Sequence, residues 1–360
     1  MLYGKPHSFT KIDHWTISLM PSLADTFNHL LPIIENDLRS ILKPRPTYPS
    51  LFYRILQYHM GWVDENGNPC EPREGKRIRP ILTLLVSQAV CGDYKLARPA
   101  ASAVELIHNF SLLHDDIQDG SPLRHNRPAA WKIWGMQQGI NAGDAMFALA
   151  HLAIPRLATS DANPAILNSL LQILDETCLE LTRGQHLDMK FENENGIGVK
   201  DYLDMIAGKT ATLISAAAQM GALAAGADAS TSEHYRAFGE NLGLAFQVLD
   251  DVLDIWGDPD LTGKEAAVDI RDRKKSLPVL YGLEQNPSLR ALYDDPAEMD
   301  DQRVKVAIDL LDNVGARSYA EELAREYSRK TIEHLEAASP QGDAGESLYK
   351  LVDMLLQRNY

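Results

Sequence analysis

Residues 101–119 read ASAVELIHNFSLLHDDIQD, and the reading of this stretch decides the fold. Its apolar residues go round most of a helical circumference, with no Gly or Pro to interrupt them, as in a helix at the centre of a bundle. It ends on Asp115-Asp116-Ile117-Gln118-Asp119, a DDxxD. A second copy, Asp250-Asp251-Val252-Leu253-Asp254, ends another long apolar stretch. At about 3.6 residues per turn, positions i and i+4 share a face, which pairs Asp115 with Asp119 and Asp250 with Asp254. Like charges so spaced cost a helix about a few tenths of a kcal/mol, and the negative end of the helix dipole adds to that cost. A chain that does this twice inside hydrophobic segments is collecting divalent cations there. Carboxylate oxygens suit hard Mg²⁺, which keeps waters and takes its remaining ligands from substrate phosphates.

Composition narrows the rest. The 360 residues are 45% hydrophobic and 24% charged, ordinary for a globular protein. A net charge of -15 with no basic tail or stripe argues against nucleic acid as a partner. Cys70, Cys91 and Cys178 lack metal-type spacing and fit a reducing compartment. The segment Met1 to Leu19 mixes charged and apolar residues and is no signal peptide. No run approaches the roughly 18 uninterrupted apolar residues of a membrane span. A cytoplasmic protein without stable membrane insertion is the expectation.

Spacings of i, i+3, i+4 and i+7 recur almost throughout and predict helices near 20–43, 49–61, 78–91, 95–118, 128–153, 164–192, 198–223, 231–256, 276–285, 302–313, 316–337 and 344–357. No segment alternates at period two, so no sheet is expected, and no repeat of 20–50 residues recurs. Residues 101–114 and 211–226 are apolar on nearly all sides. The expected architecture is one all-α domain over 1–360, a bundle with a deep, apolar-walled central cavity and the two acidic clusters facing each other across its mouth. N-terminal helices occupy 1–60, an inserted loop 61–75, a catalytic core 76–290 and C-terminal helices 291–360.

A diphosphate also needs cations from the protein. Gly75-Lys76-Arg77-Ile78-Arg79-Pro80 places three basic side chains where a helix begins, and a helix N-terminus offers backbone N–H groups to an anion. Arg124, His125 and Arg127 follow the first cluster; Lys264 and Arg271-Asp272-Arg273-Lys274-Lys275 follow the second. Each feature has a bland counterpart. A lone DDxxD is usually a solvated helix end, and Lys-Arg stretches are most often surface charge. His108 on a buried helix reads first as a core histidine, although it and Ser111 share the stripe of Asp115. An EF-hand fails, since Asp115 to Asn126 has Ile at loop position three and Asn at position twelve.

In combination these residues resemble the trans-isoprenyl diphosphate synthase, or polyprenyl synthase, family. The motifs are Gly-Lys-Arg-Ile-Arg-Pro, the first DDxxD, Gly184-Gln185-His186-Leu187-Asp188, Lys209-Thr210, and Phe246-Gln247-Val248-Leu249-Asp250-Asp251-Val252-Leu253-Asp254. The resemblance is strong over roughly residues 70 to 285. It implies an isoprenoid-synthase-type helical bundle, a homodimer, and head-to-tail condensation of isopentenyl diphosphate with an allylic diphosphate. It further implies Mg²⁺, three ions with substrate bound, on Asp115, Asp116 and Asp119, on Asp188, and on Asp250, Asp251 and Asp254. Arg124, Lys209, Lys264 and Lys274 become clamps on the allylic diphosphate. Lys76, Arg79, His108 and His125 become the isopentenyl diphosphate site. The Lys209 carbonyl, Thr210 and Gln247 would stabilise the allylic cation. The chain departs from the family's frequent Arg-Arg-Gly with Arg124-His125-Asn126, which predicts a weaker or more pH-dependent grip on isopentenyl diphosphate. Glu74 replaces a usual Gly.

Product length in the family follows the fifth residue upstream of the first Asp, here Phe110, with small Ser111 next. This pair resembles geranylgeranyl diphosphate synthases, so a twenty-carbon product is the first expectation and a fifteen-carbon farnesyl product the second. On the wheel Ser111 shares the Asp115 stripe and Phe110 lies off it, so Phe110 acts only if the cavity wraps round that helix edge. Three other functions compete. A terpene cyclase of the same fold needs no site for Lys76, Arg79 and His108. A His-Asp phosphohydrolase built on His114-Asp115 leaves the second cluster unexplained. A non-catalytic partner subunit has no reason to keep all six cluster aspartates.

Overall fold

The computed structural model describes residues 22–70, 76–159, 164–194, 196–258 and 267–356. At its centre lie α3 (Ile78–Cys91), α4 (Arg98–Gln118), α9 (Thr212–Ala224) and α10 (Ala229–Trp256). The all-round apolar stretches explain why. Burial is unbroken from Pro80 to Ser87 in α3, from Ala100 to Ile107 in α4 and from Leu213 to Ala218 in α9. A helix with no polar face has to be enclosed on every side. Helix α9 packs between α3 and α10, α4 lies against α3 and α6 (Met136–Ala153), and α10 runs along the long helix Ala316–Ala337. Helices α1 (Leu23–Ile41), α2 (Ser50–His59), α7 (Pro164–Asn193) and α8 (Val199–Ile206) complete the wall round the site.

The bundle is all-α, as the sequence predicts, with local differences. The expected absence of any sheet is wrong at one place: β1 (Leu123–Arg124) pairs antiparallel with β2 (Arg127–Pro128). The loop residues His125 and Asn126 both have positive φ, 50° and 58°, the twist that a two-residue hairpin requires. Gly135, at φ 89°, divides the expected 128–153 helix into α5 (Ala130–Trp134) and α6. The expected 198–223 helix is broken by a π turn at Ala207–Ala211. A short helix, Pro287–Asp294, was not expected, although Asn286 caps it and Pro287 opens it.

The segment ahead of α3 is fixed from inside. Arg77 adopts φ 44°, a left-handed conformation that a non-glycine residue takes only when its surroundings hold it there. Its guanidinium donates to Glu35 at 2.9 Å, to Glu105 at 2.6 Å and to the Met60 carbonyl at 3.3 Å. Trp62 donates to the other Glu35 oxygen at 2.7 Å. One buried ion cluster therefore ties α1, the turn after α2, the start of α3 and α4 together, and presents Lys76 and Arg79 on either side of Arg77. Of the expected inserted loop, residues 61–70 make a turn closed by Asp64, which accepts from the Asn66 and Asn68 amides at 2.9 and 2.8 Å. Residues 71–75, Met1 to Leu19 and Lys264 lie outside the described residues.

Candidate active site

Two spaces meet on α4. The first is a cleft of about 290 Å³ whose wall includes Lys76, Arg79, His108, Arg124, His125 and Arg127. Arg79, near the start of α3, reaches His108 on α4 at 3.4 Å, and its Nε is buried without a protein partner. Burial, then the neighbouring guanidiniums of Arg79 and Arg77, hold the His108 imidazole well below its ordinary pKa. His125 is lowered in the same sense by burial, Arg124 and Arg77. The hairpin turns Arg124 back onto α4, where it donates to Asp116 Oδ1 from Nε at 2.9 Å and from Nη2 at 2.5 Å. Cations and neutral imidazoles thus dominate this space, and the carboxylates nearest to it are already paired: Glu105 with Arg77, Asp116 with Arg124.

The second space is an apolar pocket of about 360 Å³ directly beside Asp115. Phe110 and Ser111 both line it, together with His114, Leu181, Gln185, Met189, Lys209, Thr210 and Leu213. The cavity does wrap round the edge of α4. Edge-to-face contacts with His114, centroids 4.9 Å apart, and with Phe147, 5.4 Å apart, hold the Phe110 ring. Ser111 folds its hydroxyl back onto the His108 carbonyl at 2.9 Å, as a helical serine can, and adds no bulk to the lane.

The acidic clusters are joined by two lysines. Lys209 pairs with Asp188 of α7 and draws on Asp115. Lys274 pairs with Asp269 at 3.7 Å; burial opposes its charge, but Asp269, Asp188, Asp251 and Asp254 outweigh burial and hold its pKa above the ordinary lysine value. Asp254 accepts from the Asp269 amide at 3.0 Å, which seats the short helix Val268–Arg271. Asp115 has its carboxyl pushed up to about 6, by burial first, with Lys209 opposing and Asp119 and Asp188 adding to the rise. Such crowding of carboxylates fits a hard cation with oxygen ligands. Among the described residues no three His, Cys, Asp or Glu side chains close into a ready cage. Mg²⁺ that completes its shell with water and phosphate oxygens needs no such cage.

The second aspartate of each cluster is placed differently from its neighbours. Asp116 takes both Arg124 bonds on Oδ1, while its Oδ2 is buried without a protein partner. Asp251, buried, accepts from the Tyr202 hydroxyl, from the Leu277 amide at 3.0 Å and from Gln247 at 3.1 Å. Gln247 in turn accepts from Thr210 at 2.9 Å. The chain Thr210–Gln247–Asp251–Tyr202 therefore fixes which atom Gln247 shows to Thr210: its amide nitrogen is committed to Asp251, and its oxygen takes the hydroxyl.

The π turn carries Lys209 and Thr210 into the pocket, and glycines make it possible. A Cβ on Gly184 would run into the Lys209 backbone, and one on Gly208 would sit 2.8 Å from the Glu180 carbonyl. Three groups in this site escaped the sequence reading. Gln185, quoted only as part of a motif, has both amide atoms buried without a protein partner at the pocket wall. His59 lines the basic cleft from α2. Tyr202 holds Asp251. The first was legible as a polar residue one turn from Leu181 on a pocket-facing stripe; nothing local in the sequence marks the other two.

Comparison with known proteins agrees with this geometry. A family model described as polyprenyl synthetase matches residues 62–311. The chain is similar to a (2E,6E)-farnesyl diphosphate synthase of Mycobacterium tuberculosis, 40% identical over 287 residues and 78% of each chain. It is also similar to a geranylgeranyl diphosphate synthase of the same organism, 36% identical over 331 residues, 91% of this chain and 90% of the other. Among solved structures, a polyprenyl synthetase from Streptomyces coelicolor superposes with a TM-score of 0.84 at 32% identity, over 93% of this chain and all of that one. A polyprenyl synthase from Caulobacter crescentus, complexed with calcium and isoprenyl diphosphate, gives 0.76 at 30% identity, over 94% and 98%. The chain belongs to the polyprenyl synthetase family and is a trans-isoprenyl diphosphate synthase.

Proposed function

We propose that this short-chain synthase condenses isopentenyl diphosphate head to tail onto an allylic diphosphate and carries the product to geranylgeranyl diphosphate. The observation that carries the reading is the junction of the two spaces on α4: a basic cleft on one side of His108 and an apolar pocket on the other, with Asp115 beside the pocket and Arg79 and His108 lining both. A cyclase would have no use for the cleft. The two named relatives make different products at similar identity, so the choice of twenty carbons rests on the pocket, where Phe110 is braced and Ser111 leaves a lane.

In this reading Asp115, Asp119, Asp188, Asp250 and Asp254 hold Mg²⁺, which supplies positive charge to the diphosphate leaving group. The calcium and isoprenyl diphosphate of the Caulobacter enzyme support that assignment. Asp116 and Asp251 serve as positioning residues for Arg124 and Gln247. Arg124, Lys209 and Lys274 add fixed charge as the allylic C–O bond ionises. The Thr210 hydroxyl, the Gln247 oxygen and the Lys209 carbonyl offer dipoles to the cation, and the apolar walls keep water from it. Lys76, Arg79, His108 and His125 hold isopentenyl diphosphate in the cleft. Its double bond attacks the cation, the new C–C bond forms, and a proton leaves to the departing diphosphate. A homodimer is part of the reading, since α6 presents an exposed, largely apolar ridge of Met136, Ile140, Ala148 and Leu152.

Product sizing tests this. Labelled isopentenyl diphosphate is incubated with Mg²⁺ and dimethylallyl, geranyl or farnesyl diphosphate, and the dephosphorylated alcohols are separated. Geranylgeraniol as end point is expected, and Phe110→Ala is expected to extend the series by at least one isoprene unit. Termination at farnesol would assign fifteen carbons. Cyclic or hydrocarbon products without incorporated label would overturn elongation.

A further inference from the structure

The basic cleft holds more histidine than the reading above uses. His59 closes α2 and lines the same wall as Lys76, Arg79, His108, Arg124 and His125. Its Nε2 is buried and has no hydrogen-bond partner in the protein, and the Nε of Arg79 in the same wall is likewise unpartnered. A buried polar nitrogen left unpaired is a standing cost to the fold. A backbone hydrogen bond at Asn109 steadies the ring, and Nε2 is what remains without a protein partner.

The surroundings say what kind of partner is missing. The groups that face His59 are Arg77 and Arg124, then His125; Lys76, Arg79 and His108 line the rest of the cleft. The acids in reach are taken, Glu105 and Glu35 by Arg77 and Asp116 by Arg124. Of its neighbours only the Asn109 backbone favours a charged ring. Burial, then Arg124, Arg77 and His125, push the imidazole down to about 3, so it is neutral while the cleft holds no anion. A multiply charged anion in the cleft would reverse the sign of that field. Cations at this density with two unpartnered buried nitrogens are complementary to a diphosphate.

We propose that His59 is a further binding residue for the homoallylic diphosphate, meeting a phosphate oxygen with Nε2 from the α2 side while Arg79 and His108 hold from α3 and α4. The inference rests on the reading of this cleft as the isopentenyl diphosphate site. It has a second consequence. A diphosphate there would oppose the lowering that burial and the neighbouring guanidiniums impose on the imidazoles of His59, His108 and His125.

The test is steady-state kinetics on the full chain with His59→Leu, His59→Gln and, as a check on the cleft itself, Arg79→Ala. His59→Leu is expected to raise KM for isopentenyl diphosphate about tenfold, the size of one lost charge-assisted hydrogen bond, and KM for the allylic diphosphate by less than about twofold. His59→Gln, which keeps a donor, should recover part of the loss. If Arg79→Ala raises KM for isopentenyl diphosphate and neither His59 variant does, the assignment of His59 is overturned and the cleft reading stands. If Arg79→Ala has no effect either, the cleft reading falls and takes this inference with it. Should His59→Leu fail to fold, calorimetry of isopentenyl diphosphate binding to wild type and His59→Gln decides. Weaker binding by His59→Gln at unchanged affinity for the allylic diphosphate supports the proposal, and equal affinity overturns it.

Discussion

Asp115 shows how a residue can be a liability to the fold and an asset to the site. Burial first, then the neighbouring carboxylates of Asp119 and Asp188, push its carboxyl up to about 6, above the ordinary aspartate range. The native state therefore holds this proton more tightly than the unfolded state does. The sign follows: metal-free protein gains stability as pH falls from about 6 towards 4 and loses it as pH rises through that window. Asp115→Asn should stabilise the metal-free protein at neutral pH by roughly 1–2 kcal/mol after allowance for solvent screening, while activity falls by orders of magnitude. Thermal melts in chelator near pH 5 and pH 7.5 check this. A variant no more stable than wild type at the higher pH would refute it. The i, i+4 rule made the outward pair of each DDxxD legible. It also contains the fate of the middle residue, which stands about 100° round the helix and so faces protein, but its partners do not follow from the helix: Arg124 is returned by the hairpin eight residues on, and Tyr202 lies 49 residues from Asp251.

Among the elements, periodicity found the long helices because their buried faces are wide, and it missed whatever depends on backbone geometry alone. The π turn Ala207–Ala211 has no residue signature, since a shifted hydrogen-bond ladder leaves the side-chain pattern almost intact. The hairpin carries His125-Asn126 where the usual signal is Asn-Gly, so it read as loop. Yet both features aim the chemistry: one turns Lys209 and Thr210 into the pocket, the other returns Arg124 to Asp116. Gly184 lets α7 approach the π turn so closely that a methyl group has no room. Gly184→Ala should cost about 2–3 kcal/mol through overpacking, a drop of several degrees in Tm. The displaced Lys209 should lower kcat at least about tenfold even at temperatures where the variant is fully folded. A variant that loses stability but keeps wild-type kcat would show that the close approach serves packing only.

For the whole molecule, the outer surface of α6 and α7 is the feature that a single chain leaves unexplained. Met136, Ile140, Asp144, Ala148 and Leu152 form an i, i+4 ridge that is exposed along its full length and has one charge in five residues. Helix α7 beside it exposes Leu179 at 69% and Met189 at 40%, and the His151–Asp175 bond of 2.6 Å locks the two helices into one face. Exposed apolar side chains repeated along one helix ridge mark an interaction surface, and ridges at i, i+4 are what helices interdigitate with. Because Phe110 rests on Phe147 of α6 and Met189 lines the prenyl pocket, the same two helices form the outer wall of the active site. Pairing two chains through them would stiffen that wall, which ties assembly to product length. Light scattering is expected to give twice the 40.0 kDa of one chain. Ile140→Arg with Leu179→Arg should shift the mass to one chain, since a buried unpaired charge at a dimer centre costs several kcal/mol. The monomer should still bind isopentenyl diphosphate, whose proposed cleft lies on the α2 and α3 side of α4, but release a broader range of product lengths. A wild type of one-chain mass, or a double variant that stays dimeric, would place the contact on another face and separate assembly from the control of length.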